Sequence, residues 1–244
     1  MQIYVINLER HKDRLANIKA QSKKLRFEFE RVNAIDALKL NDDDIKRHYD
    51  REKSKKLGLQ PFKNGLIACG LSHMQCWKRI AENRKPACVL EDDAVILDEN
   101  FAEILEEIQK TIKPNEVILL TGTDPLLHLR LFREKLEKTS HEMVRVNHQT
   151  KDGAGYVMGH QAAEKLLKIY YPIYFPNDWW YVKKGGFINQ ITTKAVIPPL
   201  IEQDFIQFGS ETGTRDNNKT PSKNRPSLFK IFRHRFFKFP KPWF

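Results

Sequence analysis

The stretch Pro86 to Leu97 reads PACVLEDDAVIL. Four apolar residues, Ala87-Cys88-Val89-Leu90, run without alternation into three consecutive acids, Glu91, Asp92 and Asp93, and a second apolar run, Ala94 to Leu97, follows at once. An unbroken apolar run of this length reads as a strand buried on both faces, the pattern of a parallel sheet covered by helices. Three carboxylates at the end of such a strand repel one another beside a core, which is costly unless a cation or several hydrogen-bond donors compensate. In open α/β sheets, ligands bind just beyond the carboxyl ends of the strands. A solvated acidic turn is the alternative, and the apolar flanks on both sides weigh against it. A hard divalent cation with oxygen ligands, Mn2+ or Mg2+, is the natural partner.

Upstream, Gly65 to Asn83 reads as a helix with Cys69, His73, Cys76-Trp77 and Ile80 on one face, and it leads directly into the acidic strand. His73, in the middle of that helix beside Ser72, is either a hydrogen-bonded core histidine or a functional one. At the N-terminus Ile3-Tyr4-Val5-Ile6 is a second unbroken apolar run, ended by Asn7-Leu8. Glu9 to Lys24 then places Leu15, Ile18 and Leu25 along one helical face, and Phe27 to Val32 alternates like a strand before Asn33-Ala34-Ile35-Asp36. Strand, helix, strand is a βαβ opening. Arg10 and Arg14 lie one turn apart at the start of its helix, where they can face a phosphate or form a solvated basic face. Asn41 to Lys56 is polar with few apolar anchors and reads as a surface helix; Asp42-Asp43-Asp44 resemble a capped helix start.

Downstream, Phe101, Ile104, Leu105, Ile108 and Ile112 make the clearest amphipathic helix, which Pro114-Asn115 breaks. Val117 to Leu120 is the next buried strand; Pro125 to Asn147 has a mixed pattern. Asp152 to Gly159 is a glycine-punctuated loop running into a short strand. Gly153 and Gly155 there let backbone amides approach a ligand, or else make a simple turn. Ala162-Ala163, Leu166-Leu167 and Tyr170 form another buried helix face, ended by Pro172 and Pro176. Asn177-Asp178 then precedes Trp179-Trp180-Tyr181. Asp178 reads as a helix N-cap, or as the base of a sugar site, since aromatic faces pack on sugar C–H surfaces and apolar surroundings raise a carboxyl pKa. Thr192 to Ile197 is the last strand expected, and Glu202, Asp204, Ser210 and Glu211 fall in a loop after it.

The 244 residues are enough for one good core with an appendage, and 41% hydrophobic with 30% charged content suits a globular protein. There is no run of eighteen apolar residues. The chain enters a strand at Ile3 without a basic stretch or an apolar signal core. Cys69, Cys76 and Cys88 are odd in number and lack CxxC spacing, which argues for a reducing compartment and against both a disulfide scaffold and a zinc site. The expected location is cytoplasmic. The net charge of +11 is uneven: of 42 Lys and Arg, eight follow Asp216 with no acid among them, leaving 34 basic against 31 acidic residues in positions 1–216. A nucleic-acid-binding domain would carry its positive stripe on the folded body. The expected organisation is a domain over 1–212, a Gly-, Asn-, Ser- and Pro-rich linker over 213–226, and a tail over 227–244. That tail sets Leu228, Phe232 and Phe236 against Lys230, Arg233, His234 and Lys238, the composition of an interfacial membrane binder or a partner-binding arm.

Five blocks carry a family resemblance: INLERHKDR from Ile6, IACGLSHMQCW from Ile67, VLEDDAVIL from Val89, GAGYVMGHQAAEKLL from Gly153 and PPLIEQD from Pro198. In this order they resemble the lipooligosaccharide galactosyltransferases of glycosyltransferase family 25, to which collagen galactosyltransferases also belong. The resemblance implies a GT-A type, Rossmann-like α/β nucleotide-sugar transferase domain, here with a basic C-terminal tail. It implies a UDP-sugar donor, Mn2+ or Mg2+ as cofactor, and a glycolipid or oligosaccharide acceptor of the lipopolysaccharide kind. Glu91-Asp92-Asp93 stands where the family has its short acidic motif, as EDD in place of DxD. Asp93 is then the first choice as metal ligand and Asp92 the second, with Glu91 on the ribose. The expected donor-binding set is Asn7, Arg10, Arg14, Asp36, Ser72, His73, Glu91, Asp92, Gly153 and Gly155. Inversion at the anomeric carbon requires a general base, for which Asp178 is the choice because it is isolated from other acids and neighboured by Trp179 and Trp180. Glu202, Asp204 and Glu211 are its rivals. A lipid-linked acceptor would place the enzyme peripherally on the inner face of the plasma membrane, held to its anionic surface by the tail. The alternatives are a catalytically inactive sugar-binding or scaffold relative and, less favoured, a nucleic-acid-binding protein.

Overall fold

The structure is a computed structural model that describes residues 1–121, 133–137, 139–146, 153–179 and 190–204. The linker over 213–226 and the tail over 227–244 lie outside the described residues, as do Trp180, Tyr181, Ser210 and Glu211. Strand β1 (Gln2–Asn7), helix α1 (Lys12–Leu25) and strand β2 (Glu30–Asn33) form the βαβ opening, with β1 and β2 parallel. The polar segment folds as two short helices, α2 (Asp42–His48) and α3 (Arg51–Lys56). Asn41 caps α2 by accepting from the amides of Asp43 and Asp44, and the Asp44 carboxylate accepts from the Asn41 amide in return. Then follow α4 (Asn64–Asn83), β3 (Ala87–Glu91), β4 (Ala94–Ile96), α5 (Phe101–Thr111) and β5 (Glu116–Leu119). The remaining elements are β6 (Arg133–Lys135), β7 (Glu142–Arg145), β8 (Gly155–Met158), α6 (His160–Tyr170), β9 (Thr192–Ile197) and β10 (Ile201–Gln203).

Eight strands make one sheet in the order β2-β1-β3-β8-β5-β9-β7-β6. The pairs β1–β2, β1–β3 and β5–β9 are parallel, whereas β8 runs antiparallel to both β3 and β5, and β7 antiparallel to β6 and β9. The sheet is thus mostly parallel, as the apolar runs indicated: six strands share a direction, and β7 and β8 oppose it. An unbroken apolar run reports burial on both faces, and β8 has that burial whatever its direction.

Alternate residues of each central strand feed opposite cores. Tyr4, Ile6, Val89, Val117, Leu119, Tyr156 and Met158 face Ile67, Trp77 and Ile80 of α4 and Leu166 and Tyr170 of α6. Ile3, Val5, Cys88, Leu90, Ile118 and Val157 face Ile18 of α1 and Phe101, Ile104, Leu105 and Ile108 of α5. Each large apolar side chain so buried contributes about 1.5–3 kcal/mol. The result is a three-layer sandwich whose parallel strands end together, β1 at Asn7 and β3 at Glu91. None of the described helices is long and apolar enough to cross a membrane.

A correction concerns the segment after β9. Ile201–Gln203 is a strand and carries Glu202 with it; it pairs antiparallel with β4, placing Gln203 opposite Ala94. Buried Leu200 and Ile201 drive this return, and their amides both donate to the Leu120 carbonyl. Three residues are too few to show a sequence period.

Candidate functional site

At the ends of β1 and β3, the carboxylates of Asp92 and Asp93 are both buried, and their charges are balanced unequally. Asn7 Nδ2 donates to Asp92 Oδ2 at 2.7 Å and to the His11 carbonyl at 3.0 Å, while Arg31 Nε holds Asn7 Oδ1 at 2.8 Å. Arg14, buried on the first turn of α1, donates to Asp92 Oδ1 at 3.2 Å. Burial raises the Asp92 pKa above its ordinary value, against the pull of Asn7 and Arg14. Asp93 sits 4.0 Å from Arg14 and 3.5 Å from Gln203 Nε2. Burial, with Glu91 and Asp92 alongside, pushes its pKa up to about 7. A buried carboxylate under that repulsion is what a dication relieves, and the all-oxygen set fits a hard cation such as Mn2+ or Mg2+.

Glu91 is held at both oxygens: His73 Nε2 lies 3.1 Å from Oε1, and Gln203 Nε2 donates to Oε2 at 3.0 Å. Behind His73, Trp77 Nε1 donates to the Tyr156 hydroxyl at 2.7 Å, and that hydroxyl lies 2.9 Å from His73 Nδ1. An ionised carboxylate only accepts, so the neutral His73 imidazole carries its hydrogen on Nε2 toward Glu91 and accepts at Nδ1 from the phenol. His73 and Tyr156 are fully buried. The network ties α4 and β8 to the acidic strand end.

Gly153 forms the neighbouring wall. A Cβ built on it would stand 3.1 Å from Glu91 Oε1, 3.5 Å from Asn177 Nδ2 and 3.6 Å from the Asp178 Cβ. Cys69 of α4 completes this side, with Sγ 3.6 Å from Asn177 Oδ1. Burial pushes its thiol pKa well above the ordinary value, and the charges of Glu91, Asp178 and Asp93 add to the effect. Asp178 is therefore near other acids in space. This corrects the expectation that it stands isolated from them, because chain distance hid the convergence.

The profile of Glycosyltransferase family 25 (LPS biosynthesis protein) matches residues 1–181. The chain belongs to glycosyltransferase family 25. It is 29% identical over 206 residues to a Glycosyltransferase 25 family member of Aedes aegypti, covering 73% of this chain and 32% of that protein. It is 29% identical over 244 residues to a Procollagen lysyl hydroxylase and glycosyltransferase of Acanthamoeba polyphaga mimivirus, covering 90% of this chain and 26% of that one. It is 31% identical over 97 residues to Procollagen galactosyltransferase 1-B of Xenopus laevis, covering 38% of this chain and 16% of that one. The chain thus spans a third or less of the length of these relatives.

Within this family 25 chain the expected residues divide. Asn7, Arg14, His73, Glu91, Asp92, Asp93, Gly153 and Asp178 converge on the strand ends. Arg10 pairs with Asp36, which also accepts from the Leu38 amide at 3.0 Å, and both bonds lower the Asp36 pKa, Arg10 foremost. The Ser72 hydroxyl is buried, donating to the Ala68 carbonyl at 2.7 Å and accepting from the Ile35 amide at 2.8 Å, so it pins α4 to the chain after β2. Gly155 makes room for packing: a Cβ there would meet Ile201 Cδ1 at 2.4 Å and Leu90 Cδ2 at 3.2 Å. Glu202 is exposed on β10, and the Asp204 amide donates to the Asp93 carbonyl at 3.1 Å. Sequence reasoning missed Arg31, Tyr156, Asn177 and Gln203. For Gln203, the block PPLIEQD already marked its surroundings; for Arg31 no sequence signal existed.

Proposed function

We propose that the chain is an inverting, metal-dependent glycosyltransferase. It would move a hexose, galactose in the first instance, from a UDP-sugar to a sugar hydroxyl of a lipooligosaccharide or lipopolysaccharide acceptor. The observation that carries this reading is the buried carboxylate pair at the end of β3, with Asp93 raised to about 7 and Asp178 nearby across Gly153. The family's association with LPS biosynthesis and the procollagen galactosyltransferase among the relatives support the acceptor and donor classes.

Asp93, with Asp92 beside it, would hold Mn2+ or Mg2+, which supplies Lewis-acid stabilisation of charge on a departing diphosphate. Asn7 and Arg14 fix the Asp92 carboxylate, and Gln203 bridges Glu91 and Asp93, so the donor oxygens keep their places before substrate arrives. Asp178 takes the proton of the acceptor hydroxyl as its oxygen bonds to the anomeric carbon. The bond from that carbon to UDP breaks on the opposite side, and UDP leaves with the electron pair. A positioned base of this kind contributes about 10²–10⁴-fold.

The test is UDP release from UDP-galactose and UDP-glucose, each with and without Mn2+, followed by an acceptor screen. Mn2+-dependent release on one donor supports the reading. Full release in excess EDTA would return Glu91-Asp92-Asp93 to a metal-free role, and no release on either donor would favour the inactive sugar-binding relative.

A further inference from the structure

We propose that Cys69, His73 and Glu91 form a second cation site, selective for a borderline-soft divalent metal of the zinc class. Each offers one ligand atom, and the three atoms lie within 4.8 Å of one another. Cys69 and His73 are one turn apart on α4 and so share a face. The end of β3 brings Glu91 to that face. His73 Nε2 and Glu91 Oε1 are 3.1 Å apart. Two ligands bound to zinc at about 2.0–2.1 Å, with an angle near 100°, stand roughly that far from each other. Cys69 Sγ lies within 4.8 Å of both, and a zinc–sulfur bond is about 2.3 Å, so the thiol is the ligand that moves in to close the site.

The donor set decides the metal. Thiolate, imidazole and carboxylate together suit zinc or cobalt, whereas the oxygens of Asp92 and Asp93 suit manganese or magnesium. The outer partners are also in place: Tyr156 holds His73 Nδ1, Trp77 holds Tyr156, and Gln203 holds the far oxygen of Glu91. His73 is fully buried, while Cys69 and Glu91 are half-buried. Cysteine spacing pointed away from zinc because such spacing compares positions along the chain. Here one ligand comes from a strand end 18 residues after His73.

The protons balance simply. Cys69 gives its S–H proton to solvent, and the His73 proton moves from Nε2 to Nδ1, where the Tyr156 oxygen accepts it. The phenol hydrogen loses that acceptor, a cost small beside three metal–ligand bonds. One proton is released per cation, so affinity falls as pH falls. Resting on the transferase reading, a further consequence follows: zinc takes Glu91 Oε1 from the centre and inhibits Mn2+-supported transfer.

The test reads metal binding on the full chain and does not need activity. Cobalt titration should give a thiolate-to-cobalt charge-transfer band at one equivalent, which zinc then abolishes. Cys69→Ser should remove the band and weaken zinc binding by about 10²-fold or more, and Tyr156→Phe should weaken it about 10- to 100-fold. Asp93→Asn should keep the band. A cobalt spectrum without thiolate character, or zinc affinity in Cys69→Ser within a few-fold of wild type, overturns the proposal. Should the variant fail to fold, the wild type suffices. Cys76 and Cys88 are fully buried, so zinc should slow alkylation of Cys69 alone, and an unchanged alkylation rate in saturating zinc overturns the proposal equally. If the band appears but UDP is never released, the zinc site stands and the transferase reading falls. Mn2+-dependent transfer that zinc leaves untouched in a zinc-loaded chain removes only the inhibitory consequence.

Discussion

Asp93 concentrates the cost of the site in one side chain. Its pKa rises from 3.8 to about 7, chiefly through burial and then through Glu91 and Asp92. The folded chain therefore keeps a proton that the unfolded chain releases, and stability falls as pH rises from about 4 to 7. Above that window the loss is on the order of 4 kcal/mol at most, from about 1.4 kcal/mol per pKa unit. Asp93→Asn should accordingly raise the melting temperature of the EDTA-treated chain at pH 8 and hardly change it at pH 4. Thermal scans at the two pH values check this; a lower melting temperature at pH 8 would show that the ionised carboxylate is well compensated. Under the proposed function the same variant loses transfer, so stability and activity move in opposite directions. Asp178→Asn should lower kcat by roughly 10² or more with donor binding nearly unchanged. Steady-state UDP release beside a donor-binding titration checks it, and a collapse of donor affinity would assign Asp178 to the donor. Asp178 also shows where reading by residue stops. Its aromatic neighbours were visible in the chain, but its approach to Glu91 across Gly153 was not.

Elements buried on two faces were legible, because burial writes itself as an apolar run. Ile3–Ile6, Ala87–Leu90 and Val117–Leu120 all lie in strands or their immediate ends, and the five-residue stripe from Phe101 to Ile112 gave α5 nearly to its bounds. The capped start at Asp42 made the polar α2 legible as well, whereas the shortest strands were not. All three residues of β6 are exposed, and β10 has three residues held by pairing with β4. The insertion of β8 between β3 and β5 left no local trace, since strand order is a property of distant pairs. It nonetheless delivers Tyr156 to His73. The junction of β8 and α6 depends on a close approach that only glycine permits: a Cβ on Gly159 would lie 2.4 Å from the Pro114 carbonyl oxygen and 2.6 Å from that of Lys113. Both atoms are backbone and cannot rotate aside. Gly159→Ala should cost about 1–3 kcal/mol or slightly more, lowering the melting temperature by roughly 2–12 °C. Calorimetry measures it, and an unchanged transition would mean that the α5–β5 turn yields easily.

At the scale of the whole molecule, the charge asymmetry is the feature that the sandwich does not absorb. Eight basic residues follow Asp216 without an acid, and Phe229, Phe232, Phe236, Phe237 and Trp243 are interleaved with them. These residues lie outside the described structure. A lipid-linked acceptor, as proposed for this family 25 chain, lies at a surface rich in anionic headgroups. Each basic side chain held at such a surface contributes about 1 kcal/mol, so four engaged residues contribute about 4 kcal/mol. Salt weakens that attraction, whereas interfacial burial of the aromatic rings persists in salt. We propose that Ser227 to Phe244 docks the enzyme on the inner membrane face and raises its concentration at the acceptor. Truncation before Ser227 should abolish binding to vesicles containing anionic lipid and slow transfer to a lipid-linked acceptor. Under this proposal transfer to a soluble oligosaccharide should be nearly unaffected, because such an acceptor does not need the membrane surface. Co-sedimentation and paired acceptor assays measure both effects. Equal loss on the two acceptors would mean that the tail supports the catalytic body itself, and membrane docking would then be discarded.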